Sequence, residues 1–356
     1  MAKVHPRDER SVKKALRAID LFAGAGGMTL GLKQAGFEVV GAVEIDPLGC
    51  KTYQRNHPDV RMWEVDIRKL SAADMLEELK LRPGDLSLVA GCPPCQGFSS
   101  LTTLNGKHEI HDPRNDLVLE YGRFVREMKP RAVLMENVPG LASDARMERL
   151  CRELEDLGYP VRSGLKVLNA VDYGVAQRRR RLVMLALEGS VVQFAPPASS
   201  RLSVEEVIGT LPKAGASGDP LHDLAENRSS EVKARIAAIP KDGGSRADLG
   251  DDAQLTCHQG TDGFKDIYGR MAWSKPAPTI TSGCVNPSKG RFLHPDEDRA
   301  ITLREAALLQ GFPPDYYFSL EKGKFAAAAM IGNALPPAFV EAHARQIHDV
   351  LTNTSV

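Results

Sequence analysis

The stretch LRAIDLFAGAGGMTLGLKQAGF, residues 16–37, passes from an apolar run through a glycine-rich turn into an amphipathic pattern. A buried strand is expected at LRAIDLF and a helix at MTLGLKQAGF, joined by a turn whose glycines let the backbone approach a ligand closely. EVVGAVEID reads as the next strand. It ends on Glu44, which lies about 20 residues after the glycines, the spacing at which a carboxylate can accept from ribose hydroxyls. The third position of G-x-G-x-x-G is Thr29 rather than glycine, so an adenosine-like group fits better than a pyrophosphate. Glycines that only make a tight turn are the alternative. Phe22 is either core or an aromatic face for a purine.

Outward from this unit the N-terminal half keeps alternating. SAADMLEELK, DLVLEYGRFVREM and RMERLCRELEDLG have helical periodicity; LSLVAG and RAVLMENV are short apolar strands, and VRSGLKVLNAV and RRLVMLALEG a closing pair. That alternation predicts a doubly wound α/β domain with a mainly parallel sheet, up to about Gly189. From PPASS to RADLGDDAQLTCHQG the density of Pro, Gly, Ser and Asp breaks the periodicity, as in a smaller, loop-rich domain. Helices return at TLREAALLQGF, where Thr302 and Glu305 make a capping box. The C-terminal FAAAAMIGNALPPAFVEAHARQIHDVL reads as two helices broken between Gly332 and Pro337.

The chain has 356 residues, is 42% hydrophobic, and balances 46 Lys+Arg against 46 Asp+Glu. Its net charge of zero does not exclude a polyanion partner, which local clusters can meet. Six cysteines, Cys50, Cys92, Cys95, Cys151, Cys257 and Cys284, spread over this length are expected to be reduced thiols. The N-terminus is charged and lacks an apolar core, and no uninterrupted apolar stretch reaches bilayer length, so a cytoplasmic protein without a targeting segment is expected.

Three stretches carry chemistry. In GCPPCQGFSS, residues 91–100, Cys92 and Cys95 form a C-x-x-C that is open to three readings. They are a redox pair, half of a zinc site, or one nucleophile held by two prolines at the carboxyl end of a strand. In MENVPG, residues 135–140, Glu136 ends the neighbouring strand, either as a turn residue or as a desolvated acid able to donate as well as accept. In QRRRRL, residues 177–182, alternate arginines enter a strand, so Arg179 and Arg181 share a face.

Taken in order, DLFAGAGG, VEID, PPCQGFS, ENVPG, DYGVAQRRRRL, REAALLQGFP and GNALPP make the chain resemble the S-adenosylmethionine-dependent DNA (cytosine-5)-methyltransferases of bacterial type. It departs from them in small ways, with Cys92 where glycine is common, Ala176 where proline is frequent and Leu335 where valine is usual. The resemblance implies a Rossmann-like doubly wound sheet of the class I methyltransferase kind in residues 1–189 and 325–356, and a target-recognition domain in 190–324. It implies Cys95, Glu136, Arg179 and Arg181 as catalytic residues, with Cys92 a bystander. S-adenosylmethionine would be bound by Phe22, Ala23, Gly24, Gly26, Gly27, Glu44, Ile45, Asp66, Ile67, Pro94 and Asn333, without a metal. Gln96, Ser99, Lys289 and Arg291 would touch double-stranded DNA, and the polar loop from Ser99 to Asp116 would close over an extruded base. A monomer associated with the nucleoid is implied, together with a cognate restriction endonuclease. An RNA cytosine methyltransferase of the same fold and a catalytically silent DNA-binding module are the competing expectations.

Overall fold

The computed structural model describes residues 15–94, 113–249 and 266–353. Strand β1 (Arg17–Leu21) passes through the glycine turn into helix α1 (Gly27–Gln34), followed by β2 (Glu38–Glu44), α2 (Pro47–Asn56), β3 (Arg61–Glu64), α3 (Ala72–Glu78) and β4 (Leu88–Gly91). Next come α4 (Leu117–Met128), β5 (Ala132–Asn137), α5 (Ala145–Asp156), β6 (Leu165–Asn169) and β7 (Arg180–Leu187). The seven strands form one sheet in the order β3-β2-β1-β4-β5-β7-β6. The first five pair in parallel and β7 runs antiparallel to both β5 and β6.

The central strands are buried on both faces, as a sheet covered by helices on each side requires. Alternate residues feed opposite cores. Ala18, Leu88, Ala90, Ala132 and Leu134 pack on one side, and Ile19, Val89, Val133 and Met135 on the other. Helix α10 (Pro337–Asn353) returns from the C-terminus to the first side, placing Phe339, Val340, Ile347 and Leu351 in that core. Helices α4 and α5 cover the second with residues such as Phe124, Val125, Leu150 and Leu154. Among the described residues one helical span, Gly323–Asn353, holds an 18-residue window with a mean hydropathy of 1.2. It is two helices, α9 (Gly323–Asn333) and α10, parted at Ala334–Pro336 as the sequence suggests.

Between β7 and α9 the described residues form short helices, α6 (Val204–Ile208), α7 (Ser230–Ala238) and α8 (Leu303–Leu309). Helix α8 starts at the expected capping box, with Thr302 accepting from the Glu305 N–H and the Glu305 side chain reaching back. A third core joins this region to α9 through Val204, Ile280, Phe292, Leu303, Phe312 and Ile331. A fourth is small, built on Ile236, Ile239, Tyr268 and Leu293.

Candidate active site

At the carboxyl edge of β1 the chain turns sharply. Phe22 has φ 64°, followed by Gly24 at 53° and Gly26 at 96°, left-handed conformations that a side chain disfavours and glycine accepts. Gly26 has a second reason to lack a Cβ, which would lie 2.7 Å from both His57 Nε2 and Tyr316 Oη. Tyr316 donates to the Ala25 carbonyl at 2.6 Å and meets His57 at 3.0 Å, bracing the turn from behind. Burial lowers the His57 imidazole to about 4, so it is neutral. Below the turn, Asp20 Oδ2 accepts from Thr29 at 2.7 Å, and Thr29 also meets the Tyr53 hydroxyl at 2.7 Å. Burial raises the Asp20 carboxyl to about 7.

Glu44 ends β2 beside this turn. Its Oε2 accepts from Gly24 N–H at 2.8 Å and its Oε1 from the Ile45 and Asp46 N–H groups, each at 2.8 Å. Ile45 is 61% exposed next to it, and the space in front of Gly24 is open, with nothing within 4 Å of a built Cβ. An acid, an exposed aliphatic side chain and an uncovered glycine backbone at one strand edge are the set an adenosine needs for ribose, base and close approach. Asp66 and Ile67 emerge at the same edge, since Val65 donates to the Glu44 carbonyl at 2.9 Å. Their side chains are otherwise engaged, however. Asp66 pairs with Arg68 at 2.6 Å, and Ile67 is buried in the core.

A second group gathers where β4 and β5 end and β7 begins. The β4–β5 register sets Gly91 opposite Met135, so the next residues, Cys92 and Glu136, are neighbours. The Cys92 thiol donates to Glu136 Oε2. Arg181 Nε lies 2.7 Å from Glu136 Oε1. Glu136 is buried, and an ion pair with one guanidinium replaces the lone desolvated acid expected from the sequence. The bystander reading of Cys92 is likewise corrected, because it touches the carboxylate directly. Burial, then the charge of Glu136 and its hydrogen bond, push the Cys92 thiol well up, so it is an S–H donor and not a thiolate. Asn137, unremarked in the sequence, donates to the Pro93 carbonyl at 2.9 Å and fixes the first of the two prolines. Pro94 is half-buried beyond it. Cys95, Gln96, Ser99 and most of the loop to Asp116 lie outside the described residues.

Arg179, expected among the catalytic residues, bonds backbone carbonyls in this structure. It is buried, and its guanidinium donates to the carbonyls of Ile280 at 2.9 Å, Gly332 at 3.0 Å and Ala334 at 3.1 Å. Gln177 joins it, accepting from Ile280 N–H at 2.8 Å and bonding Gln310, which donates in turn to the Ile331 carbonyl at 3.1 Å. These residues tie the strand entering the sheet, the region after β7 and the end of α9 into one joint. The connection after α9 also touches the glycine turn, because a Cβ on Gly27 would lie 2.4 Å from the Leu335 carbonyl oxygen. Asn333 is exposed there. Of the two basic residues expected on DNA, Lys289 is exposed. Arg291 turns inward, donating to the carbonyls of Gly243 at 2.9 Å and Arg270 at 2.9 Å and pairing with Asp266 at 3.0 Å. Among the described residues no three His, Cys, Asp or Glu side chains gather as metal ligands do.

The family model of C-5 cytosine-specific DNA methylases matches residues 16–349. The chain belongs to that family. It is 37% identical over 348 residues to the Type II methylase M.HgiDII of Herpetosiphon aurantiacus, covering 92% of this chain and 94% of that protein. It is 36% identical to the Type II methyltransferase M1.HphI of Haemophilus parahaemolyticus, over 95% of this chain and 88% of the other. A crystal structure of a prophage-encoded DNA modification methyltransferase from E. coli shares the fold at a TM-score of 0.73 and 24% identity, covering 95% of this chain and 99% of that one. The methylase is thus a DNA cytosine methyltransferase on a Rossmann-like sheet. Its joint offers a direct test, since a Cβ on Gly332 would sit 2.1 Å from the Thr281 carbonyl carbon. Gly332→Ala is expected to destabilise the methylase by about 1–3 kcal/mol through overpacking. A melting temperature equal to wild type would contradict this close approach.

Proposed function

We propose that this DNA cytosine methyltransferase acts on a cytosine swung out of a specific duplex sequence, using Cys95 as nucleophile, Glu136 and Arg181 as its partners on the pyrimidine, and S-adenosylmethionine as methyl donor. The observation that carries the reading is the Glu136–Arg181 pair at 2.7 Å, set at the strand edge beside the prolines that lead into Cys95. A base inside a duplex cannot reach such a recessed edge, so it must leave the stack, as the general behaviour of base-modifying enzymes has it.

Carbon 5 of cytosine is a poor nucleophile while the ring is aromatic. Addition of the Cys95 thiolate to carbon 6 removes that obstacle, and sulfur later departs readily when the adduct collapses. Glu136 accepts from the exocyclic amine and, carrying a proton, donates to N3, where charge develops as sulfur adds, and Arg181 meets O2 and supports the thiolate with its positive field. Loss of the carbon 5 proton and expulsion of Cys95 restore aromaticity. Arg179 contributes by holding the joint and not by touching the base.

The cofactor is held by Glu44 at the ribose, by Phe22 and Ile45 at the adenine, and by the backbone of Ala23, Gly24, Gly26 and Gly27. The backbone at Asp66 and Ile67, together with Pro94 and Asn333, completes the rim. Bound there it supplies a methyl group on a sulfonium. Residues 190–324 read the duplex, with Lys289, Gln96 and Ser99 at phosphate or base and Arg291 shaping the fold around them. Action as a monomer inside the cell, with a cognate restriction endonuclease protecting against unmodified DNA, completes the reading. Incubation with labelled S-adenosylmethionine and either duplex DNA or RNA tests it. Label is expected at carbon 5 of cytosine in DNA at recurrent sites, and label on RNA alone would overturn the proposal.

A further inference from the structure

We propose that Cys92 is a positioning residue for Glu136, holding the carboxylate oxygen that Arg181 leaves free and yielding it when a base arrives. The inference rests on the assignment of Glu136 above. Glu136 is 5% exposed, and a buried carboxylate oxygen without a donor is costly. Arg181 Nε lies 2.7 Å from Oε1 as an ion pair, but that oxygen receives no hydrogen bond among the described residues. Cys92 donates to Oε2. With an ion pair at one oxygen and a hydrogen bond at the other, the carboxylate plane has little freedom to rotate about its last torsion.

The two donors differ in kind. The charge of a guanidinium holds a carboxylate strongly, whereas S–H is a weak donor. The exocyclic amine of a cytosine arriving at Oε2 therefore displaces the thiol at small cost, while the ion pair with Arg181 keeps the carboxylate in place. The backbone keeps the thiol there as well. Cys92 N–H donates to the Leu21 carbonyl at 3.2 Å, and Asn137 holds the adjoining Pro93 carbonyl at 2.9 Å. Burial keeps the thiol protonated, and so able to donate. The other charges within electrostatic reach are Arg179, from the run that enters β7, and Asp20, from the end of β1.

The test is steady-state methylation of duplex DNA by wild type, Cys92→Ala, Cys92→Ser and Glu136→Gln, and by Cys92→Ala combined with Glu136→Gln. Cys92→Ala is expected to lower kcat/KM for DNA about three- to tenfold with kcat within about twofold, because the thiol holds the carboxylate before the base arrives and is displaced once it is bound. Cys92→Ser supplies a new donor and should restore kcat/KM. In the Glu136→Gln background, Cys92→Ala should have no further effect. An alanine variant with wild-type kcat/KM would overturn the proposal. So would a loss that serine does not restore and that persists without Glu136, which marks a packing role. If Glu136→Gln itself is fully active, the assignment of Glu136 fails, and that outcome is distinct from a silent Cys92.

Discussion

Cys95→Ser is expected to leave DNA binding within about twofold of wild type while lowering kcat by on the order of 10⁴-fold or more, the scale of nucleophile removal in covalent catalysis. Serine is nearly the same size, so the substitution changes chemistry more than shape. In the proposed mechanism a positive field populates the Cys95 thiolate. A hydroxyl remains protonated under the same field and is a poor leaving group from carbon 6. Single-turnover methylation together with a DNA-binding titration separates the two quantities. Activity within about tenfold of wild type would mean that no sulfur adduct lies on the path. Cys92, a protonated donor three residues earlier, cannot substitute, because burial and the neighbouring carboxylate hold it far from the thiolate.

Arg270→Ala is expected to produce the largest loss of stability. Arg270 is fully buried, and its guanidinium donates to the carbonyls of Ile239 at 3.0 Å, His294 at 2.9 Å, Glu297 at 2.6 Å and Ile236 at 2.8 Å, and to Asp298 at 2.5 Å. Two of these carbonyls lie at the end of α7, where a cation also complements the helix dipole. Alanine would strand buried acceptors, each worth about 1–3 kcal/mol when unpaired, in a region whose core among the described residues is Ile236, Ile239, Tyr268 and Leu293 with a few neighbours. A loss of about 3–5 kcal/mol follows, the range for breaking a buried charge network. It should appear as an early unfolding transition and as new protease cleavage between residues 230 and 300. Arg270→Lys should recover part of it, since an ammonium has three donors in place of five. A variant that melts with wild type and resists protease would show that Arg270 does not organise this region. Arg291, which donates to the Arg270 carbonyl, belongs to the same scaffold, so its removal should act through fold before DNA affinity.

What the sequence makes legible here is local. The strand, glycine turn and helix of residues 17–34 follow from adjacent residues, as do the Thr302–Glu305 cap and the break before Pro336 and Pro337. Helix α2 and strand β3 escape that reading. β3 has four residues, and α2 buries the polar Thr52 and the Tyr53 ring through partners far away in the chain, such as Thr29. The site divides the same way. Glu44, Glu136 and Arg181 stand where strand ends predict, because each is placed by its own strand. Cys92 and Arg179 do not, because their partners are set by register and tertiary contact. Cys92 meets Glu136 across 44 positions, and Arg179 meets Gly332 across 153. In a run of arginines the residue type alone cannot say which faces a carboxylate and which faces carbonyls. Arg179 precedes β7 and Arg181 lies within it, and their tertiary partners decide that.

The most direct measurement is covalent trapping on duplex DNA carrying 5-fluorocytosine, with S-adenosylmethionine present. Fluorine at carbon 5 cannot leave as a proton does, so an enzyme that adds sulfur at carbon 6 stays attached to the methylated ring. A denaturant-stable protein–DNA complex is expected, with peptide mapping that places the link on Cys95 and a loss of trapping in Cys95→Ser. A chain that turns over normal cytosine but leaves fluorocytosine DNA free, or a link mapped to any residue other than Cys95, would contradict nucleophilic catalysis at this site.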